Sequence, residues 1–238
     1  MIIIIFKDLK MKNMATSIPS EVFTFFKELA KNNNRAWFNE RKAHFKTLEA
    51  DVKKTYNTLF EMLKKHDDVD SLKMFRIYRD VRFSKNKEPY KTHFGGAFHR
   101  KKPYLRGGYY LHISPGDSFI ATGFWDPNKE DLERIRREFE VDDTEIREIL
   151  ADKKFKAVWG ELQGDELVSA PKGFDKEHPS IDLIRKKQYI FIKKYSDAEV
   201  LSDNFLQEVN DAFKAIRPYF DYKSEVLTTD LNGVSLIE

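Results

Sequence analysis

Between residues 76 and 91 the chain concentrates cationic side chains that are suited to binding an anion. Arginines occur at Arg76, Arg79 and Arg82, and Asp80 lies between the second and the third. A guanidinium group is planar and permanently charged, and its paired N–H donors match the oxygens of a phosphate or a carboxylate. The spacing therefore predicts a binding site for a phosphate- or carboxylate-bearing small molecule, with Asp80 orienting the arginines.

The same segment supplies further candidate groups for binding and for acid–base chemistry. Lys87, Tyr90 and Lys91 follow the arginines, and we expect them to close over the bound anion. For a proton-transfer step, Asp80 and His93 are candidate general bases and Tyr90 is a candidate proton donor. Phosphoryl chemistry needs charge stabilisation more than it needs a covalent group, so this set would suit it. Whether the protein is an enzyme stays open.

The charge of the chain is concentrated around this segment. Residues 71–106 contain eleven basic and two acidic side chains, a net charge of +9, whereas the rest of the chain carries −6 and the whole chain +3. A nearly neutral chain is not typical of a protein devoted as a whole to nucleic acid. Seven aromatic residues lie in the same window, which favours an anionic ligand that carries a ring.

Two other interpretations of these residues remain open. In the first, the arginines and Asp80 form an internal ion-pair network, Asp80 with Arg76 or Arg82, in a structural or interaction protein. In the second, lysines and aromatic residues on one sheet bind single-stranded nucleic acid. The sequence carries no helix-turn-helix, RRM or zinc-finger signature to support the second.

Several classes of site are excluded or disfavoured by the composition. The chain has no cysteine, which excludes disulfides, thiolate nucleophiles and cysteine-ligated metals. The motifs of serine hydrolases, P-loop proteins, dinucleotide-binding folds and zinc proteases are absent. Carboxylates at ligand spacing do not accompany the six histidines, so we expect neither a metal nor a cofactor. We interpret His112, on one strand face with Tyr110, as a hydrogen-bonded sheet residue.

The hydrophobic periodicity predicts the elements that position these groups. Apolar residues recur at helical spacing in six segments, which are 19–31, 35–65, 128–139, 143–151, 152–160 and 203–216. Alternating segments predict five strands, which are 73–83, 94–100, 108–114, 118–125 and 187–195. This order indicates a single α+β domain over residues 18–238, a mostly antiparallel twisted sheet with N- and C-terminal helices packed on it.

Two finer expectations follow from these elements. On a strand over 73–83, Arg79 would share the core-facing side with Phe75 and Phe83, and Arg76, Asp80 and Arg82 would share the other side. Pro218 follows the last apolar helical position, Ile216, and is expected to end the final helix.

The amino terminus gives no sign of export. Residues 2–6 form an apolar run of only five residues with nothing basic before it, which is too short for a signal peptide or a membrane span. We interpret residues 1–17 either as an extension before the domain, with a start at Met11 or Met14, or as containing an edge strand. A cytoplasmic protein without membrane contact is expected.

The segment from Arg76 to Tyr90 resembles the signature of an uncharacterised bacterial family, a domain of unknown function of about this length. The pattern is arginine, two residues, Arg-Asp, one residue, Arg-Phe, a short gap, Asn or Asp followed by Lys, two residues and Tyr, and every defined position is matched. Residues 33–38 and 171–179 resemble other parts of that family, so the resemblance runs from about residue 18 to 217. At Ala121-Thr122-Gly123 the family would have a glycine-rich run. The resemblance implies no reaction, substrate or cofactor.

Overall fold

A computed structural model describes residues 17–237, so the predicted extension, apart from Ser17, lies outside the described residues. The described residues form nine helices, which are α1 (Ser20–Lys31), α2 (Arg35–Leu63), α3 (Lys129–Val141), α4 (Thr144–Ala151), α5 (Lys153–Trp159), α6 (Ile181–Ile184), α7 (Asp197–Val200), α8 (Phe205–Ala215) and α9 (Arg217–Thr228). The strands are β1 (Val69–Met74), β2 (Phe94–Arg100), β3 (Gly108–Ile113), β4 (Ser118–Phe124) and β5 (Tyr189–Tyr195). None of these helices combines the length and the apolar character that a bilayer crossing requires.

The five strands make one antiparallel sheet in the order of the sequence, from β1 to β5. Strands β2, β3 and β4 follow one another through short loops, whereas helices α3 to α6 lie between β4 and β5 along the chain. The predicted α+β class is confirmed. The strands over 94–100, 108–114, 118–125 and 187–195 are present within two residues of the predicted ends.

Helices pack on the inner face of the sheet through aromatic side chains. From α2, Tyr56 lies parallel to Phe98 of β2, with ring centroids 6.1 Å apart, and its hydroxyl donates to the Leu111 carbonyl at 3.0 Å. From α5, the Phe155 ring meets Phe191 of β5 edge-on at 5.2 Å. Because strand side chains alternate, the opposite, outer face carries a different set, which includes Gly95, Ala97, Tyr110, His112, Phe119 and Ala121.

The carboxyl-terminal helices differ from the expectation at Pro218. Helix α8 ends at Ala215, and α9 begins at Arg217 with Pro218 in its first turn. Proline is tolerated there because the first N–H groups of a helix have no intrahelical acceptor. The helix predicted over 203–216 is therefore present and ends just before Pro218, but it is not the final helix, because Pro218 lies in the first turn of α9.

A fully buried ion pair joins the end of α2 to the sheet and to α9. The Arg100 guanidinium donates to the Asp67 carboxylate through Nε at 2.7 Å and Nη2 at 3.2 Å. The same carboxylate accepts from the Tyr109 hydroxyl and lies 3.0 Å from Nη1 of Arg217. Both charged side chains of the Asp67–Arg100 pair are completely buried, so the pair is part of the core.

Candidate functional site

Residues 75–91, which we call the arm, leave the sheet after β1 and return to it before β2. The Phe75 N–H still donates to the Gly95 carbonyl at 2.8 Å. Beyond that point the arm pairs with itself, because Arg79 N–H donates to the Pro89 carbonyl at 2.9 Å and Lys91 N–H to the Ile77 carbonyl at 2.8 Å. The arm is thus a long hairpin-like excursion whose two limbs hold the motif residues.

The strand predicted over 73–83 is therefore wrong after Met74, and so are the two faces assigned to it. Ile77 is buried, but Phe83, expected on the core side, is 97% exposed. The partner of this segment is the return limb of the arm and not a strand of the sheet. Of residues 75–83 only Ile77 belongs to the hydrophobic core, and Arg79 lies partly exposed instead of inside it.

Tyr90 fastens the return limb of the arm to the helices. Its ring stacks on Phe38 of α2 with a centroid separation of 4.0 Å. Its backbone exchanges two hydrogen bonds with the Asn33 side chain, accepting from Nδ2 at 3.0 Å and donating to Oδ1 at 3.2 Å. The side chain is only 4% exposed, and burial raises the pKa of its hydroxyl. The position of Tyr90 is that of an anchor rather than of a group that closes over a ligand.

Asp80 and Arg82 form an exposed two-pronged ion pair at the tip of the arm. Arg82 donates through Nε to Oδ1 at 3.0 Å and through Nη2 to Oδ2 at 2.7 Å. These hydrogen bonds hold the pKa of Asp80 below its ordinary value, which makes it a weaker base than a free carboxylate. Lys87 is also engaged, since its Nζ donates to the Val81 carbonyl at 3.0 Å.

Arg76, Arg79 and Lys91, which we call the cationic group, are brought together across the two limbs of the arm. Burial lowers the pKa of Lys91, and the charges of Arg76 and then Arg79 lower it further. Arg79 has a carboxylate neighbour, with Nη1 3.5 Å from Oε2 of Glu88. Within residues 17–237 the side chains of Arg76 and Lys91 make no hydrogen bond or ion pair. The group therefore places three positive charges beside one ion-paired carboxylate, Glu88. The charge of Arg76 also lowers the pKa of Asp80, which Arg82 already binds.

Two histidines lie beside this group on the outer face of the sheet. The rings of His93 and His112 are 4.1 Å apart between centroids. Burial lowers the pKa of each to about 4, and the charge of Lys91 acts in the same direction on both. At neutral pH these outer-face histidines are uncharged, so each offers one hydrogen-bond donor and one acceptor. The structure thus places His93, the predicted general base, next to His112. The sequence predicted that His112 lies on a strand but not that it neighbours His93.

Aromatic rings and small residues surround the histidines. The Tyr110 hydroxyl and His112 Nδ1 share a hydrogen bond of 3.0 Å, and the Phe119 ring stacks on His112 at 4.5 Å. Gly95 makes room for this arrangement, because a Cβ there would lie 2.5 Å from the Tyr110 hydroxyl oxygen. Phe75, 37% exposed, has its ring 6.2 Å from that of Tyr110 and 5.4 Å from Lys91 Nζ.

The segment Ala121-Thr122-Gly123, where the family resemblance would have a glycine-rich run, has a structural reason for its single glycine. Gly123 has a φ of +115°, and a Cβ there would lie 2.3 Å from the Tyr189 carbonyl oxygen of β5. The close approach is therefore between two strands. Nothing in it requires a ligand.

The cationic group lies at the protein surface. Two cavities of the described residues, of about 550 Å³ and 120 Å³, are lined by residues outside the arm. In residues 17–237 no set of three histidine, aspartate or glutamate side chains is arranged to hold a metal ion. The chemistry that the site offers is therefore charge, neutral imidazole and aromatic surface.

Sequence reasoning identified the cations of the arm but not their partners on the outer face. Gly95 belongs to β2, Tyr110 to β3 and Phe119 to β4, and the register of the sheet brings them together around His112. The signal available in the sequence was the alternation of Tyr110 and His112 on one strand face.

A family model matches residues 21–222, which is most of the chain, and its description is a conserved hypothetical protein family, DUF2461. No curated protein matches the chain, and no solved structure matches it.

Proposed function

The chain belongs to this DUF2461 family, whose description assigns no activity. From the geometry of the site, we propose that the protein binds an anionic small molecule on the outer face of the sheet, beside the arm. The phosphate or carboxylate of that ligand contacts the cationic group. One observation carries the proposal. Arg76 and Arg79 lie close enough to Lys91 to lower its pKa, and of the three only Arg79 forms an ion pair, with Glu88. The charge of Arg76 also acts on Asp80, but Arg82 already binds that carboxylate. Holding like charges together costs free energy, which a bound anion would recover.

The neighbouring groups suit the same ligand. The outer-face histidines supply neutral hydrogen-bonding nitrogens, and Lys91 lies over the Phe75 ring. If the bound molecule is also converted, His93 is a better acid–base candidate than Asp80 or Tyr90. Asp80 is held as a carboxylate by Arg82, and the Tyr90 ring is buried against Phe38. As part of this proposal, we place the function in the cytoplasm.

The exposure of the Asp80–Arg82 pair argues against the interpretation in which this cluster locks the fold. The two side chains are 51% and 77% exposed, and exposed pairs contribute little to stability because water and salt screen them. Single-stranded nucleic acid remains an alternative occupant, since Tyr78 and Phe83 of the arm are exposed aromatic residues. The experiment below separates it from a small anion.

The test is a thermal-shift screen with inorganic phosphate, phosphate monoesters, nucleotides and dicarboxylates, followed by calorimetric titration of the best ligand. A ligand that binds only the folded state raises the melting temperature. We expect Arg76→Ala and Lys91→Ala each to weaken binding about tenfold or more, because each removes a charge-assisted contact.

Lys101→Ala is the matched control. It removes the same charge at the far end of β2, more than about 20 Å from His93 at 3.3 Å per strand residue, and its affinity should equal that of the wild type. If none of these anions stabilises the wild type, or if Lys101→Ala weakens binding as much as Arg76→Ala, the proposal fails. Tight binding of a single-stranded oligonucleotide alone, with a steep salt dependence, would favour the nucleic-acid alternative.

A further inference from the structure

A second candidate site is a cavity between α3, α4, α9 and the segment that follows α9. This cavity has a volume of about 120 Å³. Its lining includes four carboxylates but only one cationic side chain, and these residues are Arg134, Glu138, Glu145, Glu225 and Asp230. We call this the acidic cavity.

Two of the carboxylates already have partners within the protein. Arg134 donates to Glu138 Oε2 at 2.6 Å and also to the carbonyl oxygens of Thr229 and Asp230, at 2.9 and 3.1 Å. The Asp230 carboxylate accepts backbone N–H groups from the turn that follows it, which lowers its pKa. Arg134, the only cationic side chain of the lining, is therefore already bound to Glu138 and to two carbonyl oxygens.

Glu145 and Glu225 are left without a counterion. Within residues 17–237 neither carboxylate makes a hydrogen bond or an ion pair. Burial raises the pKa of Glu145, and the charges of Glu225 and Glu138 raise it further. Glu145 and Glu225 are themselves exposed, so the cavity presents to solvent negative charge that no cation of the described residues neutralises.

Tyr222 provides an independent sign that a ligand belongs in this cavity. Its side chain lines the cavity and is 6% exposed, yet its hydroxyl has no hydrogen-bond partner among the described residues. Burial raises the pKa of this hydroxyl, and the nearby charges of Glu138 and Glu145 raise it further. A buried hydroxyl without a partner is rare in folded proteins because leaving it unbonded is costly.

We propose that the acidic cavity binds the protonated amine of a small organic molecule, with Glu145, Glu225 and the Tyr222 hydroxyl accepting its N–H groups. A metal ion is the less suitable cation. Metal–oxygen distances are about 2.0 to 2.6 Å, and no three acidic or histidine side chains of residues 17–237 are arranged to share a metal. An ammonium group reaches oxygens at about 2.8 Å and offers three donors, which suits more widely spaced acceptors.

The test is an NMR titration of the full chain with butylammonium, with tetramethylammonium as a cation that has no N–H donor. We expect butylammonium to shift the backbone amides of Tyr222 and Gly233 with a saturable curve, and tetramethylammonium to bind at least about tenfold more weakly. Glu145→Gln and Tyr222→Phe should each weaken butylammonium binding by a similar factor. Glu28→Gln, which removes an exposed carboxylate of α1 outside the lining, should leave the affinity unchanged.

Three results would overturn the proposal: no saturable shift with butylammonium, equal affinity for tetramethylammonium, or a Glu28→Gln variant as weak as Glu145→Gln. Calcium or magnesium binding more tightly than butylammonium at the same amides would also reject the assignment to an amine. Because the acidic cavity shares no residue with the cationic group, either result leaves the proposed anion site untouched.

Discussion

Lys223 is a buried amine that we expect to destabilise the protein, and replacing it with methionine measures the cost. The side chain is fully buried on α9, and its Nζ has no hydrogen-bond partner among the described residues. Aromatic rings surround the amine, with the centroids of Phe139 and Tyr189 at 4.2 and 4.5 Å from Nζ. Burial lowers the pKa of Lys223 well below its ordinary value, although the charge of Glu138 opposes this.

The expected gain at pH 7 is about 1–3 kcal/mol, the cost of leaving a buried polar group without a hydrogen bond. Methionine has nearly the same length as lysine, and its thioether packs favourably against aromatic rings. If the amine stayed charged, attraction to the rings of about 2 kcal/mol would favour lysine instead. A Lys223→Met variant that is more stable than the wild type would therefore show that the desolvation cost of the amine is larger than its attraction to the rings. A less stable variant would show the reverse.

Urea unfolding of Lys223→Met and of the wild type between pH 7 and 9.5 provides the assay. In the unfolded chain the lysine amine has its ordinary pKa of about 10.4. In the folded protein the pKa of Lys223 is lower, so the amine loses its proton at a lower pH. Between the two pKa values, the unfolding free energy of the wild type should therefore rise with pH by about 1.4 kcal/mol per unit relative to the variant. The advantage of the variant should shrink accordingly.

Lys214→Met, at an exposed position of α8, is the control and should show no such pH-dependent difference. Two results would refute the reasoning. In the first, Lys223→Met is less stable than the wild type at pH 7. In the second, the difference in unfolding free energy between the two proteins is the same at every pH. Either result would show that the rings retain a charged ammonium.

Three further predictions concern the core and the outer face. Asp67→Asn should lower the unfolding free energy by about 3–5 kcal/mol in urea titration, because it removes the buried carboxylate of the pair and leaves Arg100 only the more distant, exposed Asp221 at 3.6 Å. The exposed neighbour Asp68→Asn should have little effect. Gly95→Ala should displace the Tyr110 hydroxyl from His112, because the added Cβ would lie 2.5 Å from the hydroxyl oxygen, and the imidazole ¹⁵N shifts of His112 should change while those of an Ala97→Gly control do not. The outer-face histidines should titrate near pH 4 in NMR spectra. Since unfolded histidine takes up its proton near pH 6.5, stability should fall as the pH drops from about 6.5 towards 4, and a midpoint near 6.5 for both rings would contradict the description of the site.

Helices and strands with a clear period were predictable from the sequence. Helix α2 is an example, because Asn34 caps it by accepting the Trp37 N–H at 3.0 Å and its apolar stripe ends at Leu63. The pattern failed at Pro218, since proline suits the first turn of a new helix as well as the end of an old one. It also failed after Met74, where the arm alternates in polarity without being part of the sheet.

The site could be predicted only in part, because its residues come from both local and distant sequence. The arm holds the motif from Arg76 to Lys91, and clustered charge in the sequence is visible without a structure. His112 and Tyr110 reach the arm through the pairing of β2 with β3, and periodicity does not fix strand register. The Asp67–Arg100 pair was missed for the same reason, since 33 residues separate its members.

The division between the two faces of the sheet explains why binding and stability can be tested separately. Helices cover the inner face, where the buried aromatic residues and the Asp67–Arg100 pair lie. Arg76 is exposed and makes no contact that the fold requires, so its removal should affect anion affinity and leave the unfolding free energy nearly unchanged. Tyr90 is the opposite case, because its ring stacks on Phe38 and its loss should release the arm from the helices. An Arg76→Ala variant that is both destabilised and normal in affinity would place this arginine with the core residues and remove it from the site.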